Sequence, residues 1–118
     1  GFGGTEFMLP ALMTVGKPRG LSYNRMAELL AYNAAERFGL KGKGDIAPGL
    51  DADLVLVDPD KSFVASGKLS ESQQGYSVFE GMEMSATVTD TYLRGHRIWG
   101  DGQVIGAPRG QYLMRPYG

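Results

Sequence analysis

The chain has 118 residues, 12 Lys and Arg against 13 Asp and Glu, one His, no Cys and 18 Gly. That length suits one ordinary domain, and 42% apolar with 21% charged residues is a globular composition, not a disordered one. A net charge of -1 gives no electrostatic case for nucleic acid or an anionic membrane as partner. Without Cys, disulfide frameworks and thiolate zinc sites are excluded, and a single His leaves no self-contained zinc centre or catalytic triad. If the chain serves an enzyme, most of that enzyme's active site comes from elsewhere.

Residues 1–40 read as helical. Phe7, Met8, Leu9, Ala11, Leu12 and Val15 make a short apolar segment with Pro10 in its first turn. Lys17-Pro18-Arg19-Gly20 is a connector, after which Ser22 offers an N-cap oxygen and Met26, Leu29 and Leu30 fall at helical spacing. Asn33 is expected to cap a second short helix over 34–38, with a bend favoured over one long helix. Gly39 is placed to stop it in a left-handed conformation.

From Lys41 the texture changes to loops and strands. Gly42, Gly44, Pro48 and Gly49 punctuate a loop before a strand over 53–57, which is too apolar to expose both faces at a sheet edge. Asp58-Pro59-Asp60 turns the chain, 62–65 is a further short strand, and the polar stretch 67–76 is a surface loop. Residues 84–93 alternate and are rich in Thr, Val and Tyr, predicting one strand. Arg94-Gly95 turns it into a hairpin partner over 96–99, and Gly100-Asp101-Gly102 leads to 103–105. The last dozen residues form an extended tail. So few short strands make a poor closed sheet alone, and at least one edge needs a partner strand.

No signal peptide is visible at the N-terminus, and the longest apolar run, 54–57, is far too short for a bilayer span. A cytoplasmic location is therefore the expectation. The chain begins at Gly1 rather than Met, which suggests a fragment.

The candidate sites are weak one by one. Gly42-Lys43-Gly44-Asp45-Ile46-Ala47 fits the spacing of a dinucleotide fingerprint, but that motif needs a preceding strand and a following helix, and here the order is reversed. Gly1-Phe2-Gly3-Gly4 is read as a flexible end in preference to an anion-binding nest. Asp51, Asp53, Asp58 and Asp60 lack the spacing of a calcium loop; Asp51 is read as a turn residue before the strand that Asp53 begins, and Asp58 and Asp60 as the turn after it. His96 stands alone between Arg94 and Arg97. Tyr32, Phe38, Phe63, Phe79, Tyr92 and Trp99 are core or interface residues, with no basic stripe to make them a stacking platform.

Taken in order, several segments carry a resemblance. They are Gly4-Thr5-Glu6-Phe7-Met8-Leu9-Pro10, Leu21-Ser22-Tyr23-Asn24-Arg25-Met26-Ala27-Glu28-Leu29 and Asn33-Ala34-Ala35-Glu36-Arg37-Phe38-Gly39-Leu40. Lys43-Gly44-Asp45-Ile46-Ala47-Pro48-Gly49-Leu50-Asp51-Ala52-Asp53-Leu54-Val55-Leu56-Val57-Asp58 follows, then Phe79-Glu80-Gly81 and Thr91-Tyr92-Leu93-Arg94-Gly95. Together they resemble the C-terminal part of the cyclic amidohydrolases: dihydroorotase, hydantoinase (dihydropyrimidinase) and allantoinase. Ala34 departs from the Pro usual in that family at the start of the short helix, at little cost if Asn33 caps.

The resemblance implies an α+β fragment: the last helices of a metal-dependent (β/α)8 hydrolase barrel in 1–40, then the C-terminal strands and tail of a composite β-sandwich in 41–118. It implies a parent that opens the C–N bond of a cyclic amide with two divalent metal ions, zinc by expectation. Their ligands would lie upstream of Gly1, so this chain has no catalytic or metal residue and is expected to be inactive alone. Gly1, Phe2 and Gly3 would end a loop whose backbone meets the substrate ring. The expected partners are the parent's missing barrel and strands, and exposed edges imply self-association as a homo-oligomer. Two alternatives stand beside it: a non-catalytic relative acting in assembly or protein interaction, and a free-standing α+β interaction module.

Overall fold

The structure, a computed structural model, describes residues 3–116. The chain packs as two units that alternate along the sequence. The first comprises the residues up to Ser22 with Val57–Thr87, the second Tyr23–Leu56 with the residues from Val88 onward.

In the first unit a 3-10 turn, Thr5–Phe7, runs into helix α1, Met8–Gly16, with Pro10 in its opening turn as the sequence predicts. Phe7, Pro10, Met13 and Gly16 are buried, one every third residue, so one stripe of the helix faces inward. The strands β2, Phe63–Val64, and β3, Glu83–Met84, pair antiparallel with Phe63 opposite Met84. Phe7, Ala65 and Met84 form the core, with Ala11, Phe63, Phe79 and Met82 packed against them. The Phe7 ring meets Phe63 at 6.3 Å and the edge of Phe79 at 6.4 Å, within the range where aromatic pairs attract.

In the second unit, residues 23–38 are helical throughout: α2, Tyr23–Ala27, a π-helical turn over Glu28–Tyr32, and α3, Asn33–Phe38. Asn33 does not cap. Its φ of -62° and ψ of -37° are helical, so the predicted bend is replaced by a widened turn within one helix. The predicted stop is present: Gly39 is left-handed, its N–H donates to Glu36 O and the Leu40 N–H to Ala35 O at 2.9 Å.

The main sheet runs in the order β1-β4-β5-β6, with β1 Leu54–Asp58, β4 Thr87–Leu93, β5 His96–Gly100 and β6 Gln103–Val104. Both hairpin turns fall where the sequence puts them, with Arg94 and Gly95, then Asp101 and Gly102, at positive φ. The predicted strand over 84–93 is in fact two. Met84 ends β3 in the small sheet, and Ser85 breaks the run by donating its N–H to Thr14 Oγ1 at 2.9 Å. A second departure concerns β1. Val55 and Leu56, neighbours that point to opposite faces, are 48% and 51% exposed although β1 lies at the sheet edge. Among the described residues both faces of that strand keep exposed apolar surface.

Candidate functional site

The Gly-rich start leads straight into the first unit. Gly3 forms a parallel bridge with Ser77, and Gly4 O accepts the Phe7 N–H at 3.0 Å, which closes the 3-10 turn. A Cβ at Gly3 would lie 2.7 Å from Ser72 Oγ and 3.3 Å from Tyr76 O, so the backbone there approaches the 70–77 loop as only glycine allows. Gly1 and Phe2, the other two expected substrate-adjacent residues, lie outside the described residues.

The loop facing Gly3 is held by side chains, not by a ladder. Glu6 Oε2 accepts the Glu71 N–H at 2.9 Å, and Glu80 Oε2 accepts that of buried Gly67 at 2.6 Å. Ser70 Oγ donates to Gly67 O and accepts from the Ser72 N–H, while Ser77 Oγ accepts from the Phe79 N–H. A cavity of about 240 Å³ opens between the two segments, lined by Gly3, Glu6, Ser70, Glu71, Ser72 and Ser77 among others. Its wall offers hydroxyls, carboxylates and backbone groups. Such a surface can hydrogen-bond a small polar ring and pairs no nucleophile with a base.

Elsewhere the carboxylate cluster resolves into structure. Lys43 Nζ lies 2.9 Å from Asp51 Oδ2 and 2.5 Å from Asp53 Oδ2, and Asp53 Oδ1 accepts the Arg94 N–H at 2.8 Å. Hydrogen bonds that the Lys43 ammonium donates to Asp53 and then to Asp51 raise its pKa above the usual lysine value, against desolvation. Burial works against the ionised Asp53, but the Lys43 and Arg94 hydrogen bonds outweigh it and hold its carboxyl below the usual aspartate value. The Gly42–Ala47 stretch is thus a loop between helix and strand, as its context predicted; that its lysine binds Asp51 and Asp53 is not legible in the sequence. Asp58 forms a turn of its own by accepting the Asp60 N–H at 2.9 Å.

His96 is exposed at the start of β5. Among the described residues no three His, Cys, Asp or Glu side chains are grouped to hold a metal ion, and no buried side-chain nitrogen or oxygen lacks a partner. The chain's own residues therefore do not fit a dinuclear metal centre. Among the aromatics, Phe63 and Phe79 pack on the core as expected, whereas Tyr32 and Phe38 are 44% and 51% exposed. Glu6, Glu80 and the serines of the cavity wall carry no motif. For Ser70 and Ser72 the one sequence signal is the polar, Ser-rich texture of 67–76, which reads only as a loop.

Residues 3–98 match the Amidohydrolase family. This chain belongs to that family. It is 40% identical to an allantoinase of Rubrobacter xylanophilus over 114 residues, which is 96% of this chain and 25% of that protein. An allantoinase of Salmonella newport is 41% identical over 98 residues, covering 82% of this chain and 22% of its own. Among solved structures, the L-hydantoinase of Arthrobacter aurescens superposes with a TM-score of 0.84 at 32% identity, over 90% of this chain and 24% of that one. The D-hydantoinase of a Thermus species gives 0.80 at 36% identity, over 86% and 23%. The chain spans about a quarter of the length of the relatives it matches. It corresponds to the C-terminal part of a cyclic amidohydrolase. Among the described residues no helix is long and apolar enough to cross a membrane.

Proposed function

We propose that these residues are the C-terminal part of a metal-dependent hydrolase that opens the C–N bond of a cyclic amide of the allantoin or hydantoin type. The observation that carries this reading is the 40% identity to an allantoinase across 96% of the chain. On this reading, residues 1–40 are the last helical elements of a (β/α)8 barrel and 41–118 the C-terminal share of a β-sandwich. Two divalent metal ions belong to the parent's barrel. This chain supplies none of their ligands, so no step of the hydrolysis runs through its side chains.

What the chain contributes is shape. Gly1, Phe2 and Gly3 end the loop whose backbone meets the substrate ring, and the cavity beside Gly3 offers hydrogen-bonding groups at the right scale for a small ring. The half-exposed Val55 and Leu56, and Leu29, Tyr32 and Phe38 on the helical stretch, are apolar surface that the rest of the parent covers. The same surface accounts for a tendency to self-associate when the piece stands alone, and the parent acts in the cytoplasm as a homo-oligomer.

The test is a pair of assays with allantoin and hydantoin, each with added zinc. The 118 residues alone release no ring-opened product, whereas the same residues joined to their barrel do. Metal-dependent turnover by the short chain overturns the reading, and so does a joined protein inert on every cyclic amide offered.

A further inference from the structure

The backbone at Gly3 holds a defined position although it belongs to no strand or helix. Its bridge to Ser77 and the slot formed by Ser72 and Tyr76 place it against the 70–77 loop. That loop has no ladder of its own to fix it. From the segment following Gly3, the Glu6 carboxylate reaches the loop and accepts the Glu71 N–H at 2.9 Å. Glu6 sits three residues after Gly3, in the 3-10 turn anchored by the buried Phe7. Its carboxylate thus joins the rigid core to the far wall of the cavity.

We infer that Glu6 is a positioning residue: by holding the Glu71 N–H it fixes the 70–77 loop and, through it, the backbone at Gly3 that faces the substrate. This deepens the reading given under Proposed function and rests on it. Glu80 holds the segment just before the same loop, through the Gly67 N–H at 2.6 Å. Of the two contacts, only the one from Glu6 to Glu71 lies in the wall of the cavity of about 240 Å³, so it is the one that spans the space between the two segments. The requirement at Glu6 is reach, not charge, because the partner is a neutral amide. A Gln side chain keeps the acceptor oxygen at the same distance, whereas Asp keeps the charge and falls one methylene short.

The test uses the full-length enzyme containing these residues, with allantoin and hydantoin as substrates. Glu6→Asp and Glu6→Ala are expected to raise KM about tenfold while kcat stays within about twofold, and Glu6→Gln to stay near the parent. Melting temperature and metal content are read alongside, so that a variant that fails to fold is recognised, and Glu6→Asp then stands in for Glu6→Ala. The opposite order, with Asp tolerated and Gln not, overturns the inference in favour of a purely electrostatic role. Gly3→Ala separates this inference from the reading beneath it. If Gly3→Ala lowers kcat/KM and no Glu6 variant does, positioning by Glu6 is wrong and the substrate contact stands. If neither residue affects any cyclic amide, the contact itself is wrong and the inference falls with it.

Discussion

Asp53 divides its two carboxylate oxygens between partners far apart in sequence, Lys43 Nζ at 2.5 Å on one and the backbone N–H of Arg94 at 2.8 Å on the other. The Lys43 side chain is only 13% exposed, so the ammonium has few waters to fall back on, while Asp53, at 32%, stays in contact with solvent. The arrangement ties the loop before β1 to the turn after β4, where Ala52 O also accepts the Gly95 N–H at 2.9 Å.

Asp53→Ala removes both acceptors and leaves Lys43 with Asp51 alone. The expected loss is about 2–3 kcal/mol, since a charged hydrogen bond and a shielded partner are both forfeited. Asp53→Asn keeps an acceptor for Arg94 and should lose less. Urea unfolding followed by the fluorescence of Trp99, the single tryptophan, measures both.

The same pair gives stability a sign with pH. Asp53 is held below its ordinary value of 3.8, so its contribution is full above that value and is lost as pH falls through the lowered one. Lys43 is raised above its ordinary 10.5, so its contribution is full below that value and is lost as pH rises past it. Unfolding midpoints should therefore drop below about pH 4 and again at strongly alkaline pH. In Lys43→Met the acid limb should flatten; an unchanged limb shows that other carboxylates control it.

Glycine substitutions separate packing from backbone conformation. Gly44 has φ +88°, and a Cβ there would lie 2.5 Å from Ala35 Cβ and 3.1 Å from Ala31 O. Gly49 has φ +91° with nothing within 4 Å. Gly49→Ala should cost about 1–2 kcal/mol, the left-handed penalty alone. Gly44→Ala should cost more, about 3 kcal/mol or above, because the helix must also move. Ala35→Gly in that background should restore part of the loss, as read by thermal melting.

Met84 is fully buried at the centre of the first unit's core, with Thr14 Oγ1 3.8 Å from its sulfur. Met84→Ala should destabilise by about 2–5 kcal/mol, and Met84→Leu by less than about 1.5, measured by calorimetry. A small loss for Ala would mean that the Phe7, Phe63 and Phe79 rings close over the vacancy.

Local chemistry explains what was legible in the sequence. Gly39, Arg94-Gly95 and Asp101-Gly102 mark their turns because few residues accept positive φ, and the α1 segment shows its apolar spacing openly. The break at Ser85 was hidden, since it depends on a hydroxyl at Thr14, 71 positions earlier. The π turn over Glu28–Tyr32 has no composition signal, so Asn33 reads as a cap in the sequence although the helix runs through it. For the same reason Glu6 and Glu80 were invisible as loop braces: a carboxylate accepting a distant backbone N–H leaves no local trace. The exposed faces of Val55 and Leu56 depart from the burial that their apolar character predicts, because cover for a strand comes from distant residues and leaves no mark in the strand itself.

The alternation of the two units along the chain bears on how it can be synthesised and dissected. The first unit cannot close until Thr87 has left the ribosome, and the second also waits for residues beyond Val88. Each therefore joins segments separated by more than thirty residues, a topology that delays folding relative to local helix formation. No single cleavage inside the stretch from Tyr23 to Thr87 leaves either unit on one piece of chain, so a nick there severs the covalent continuity of both at one stroke.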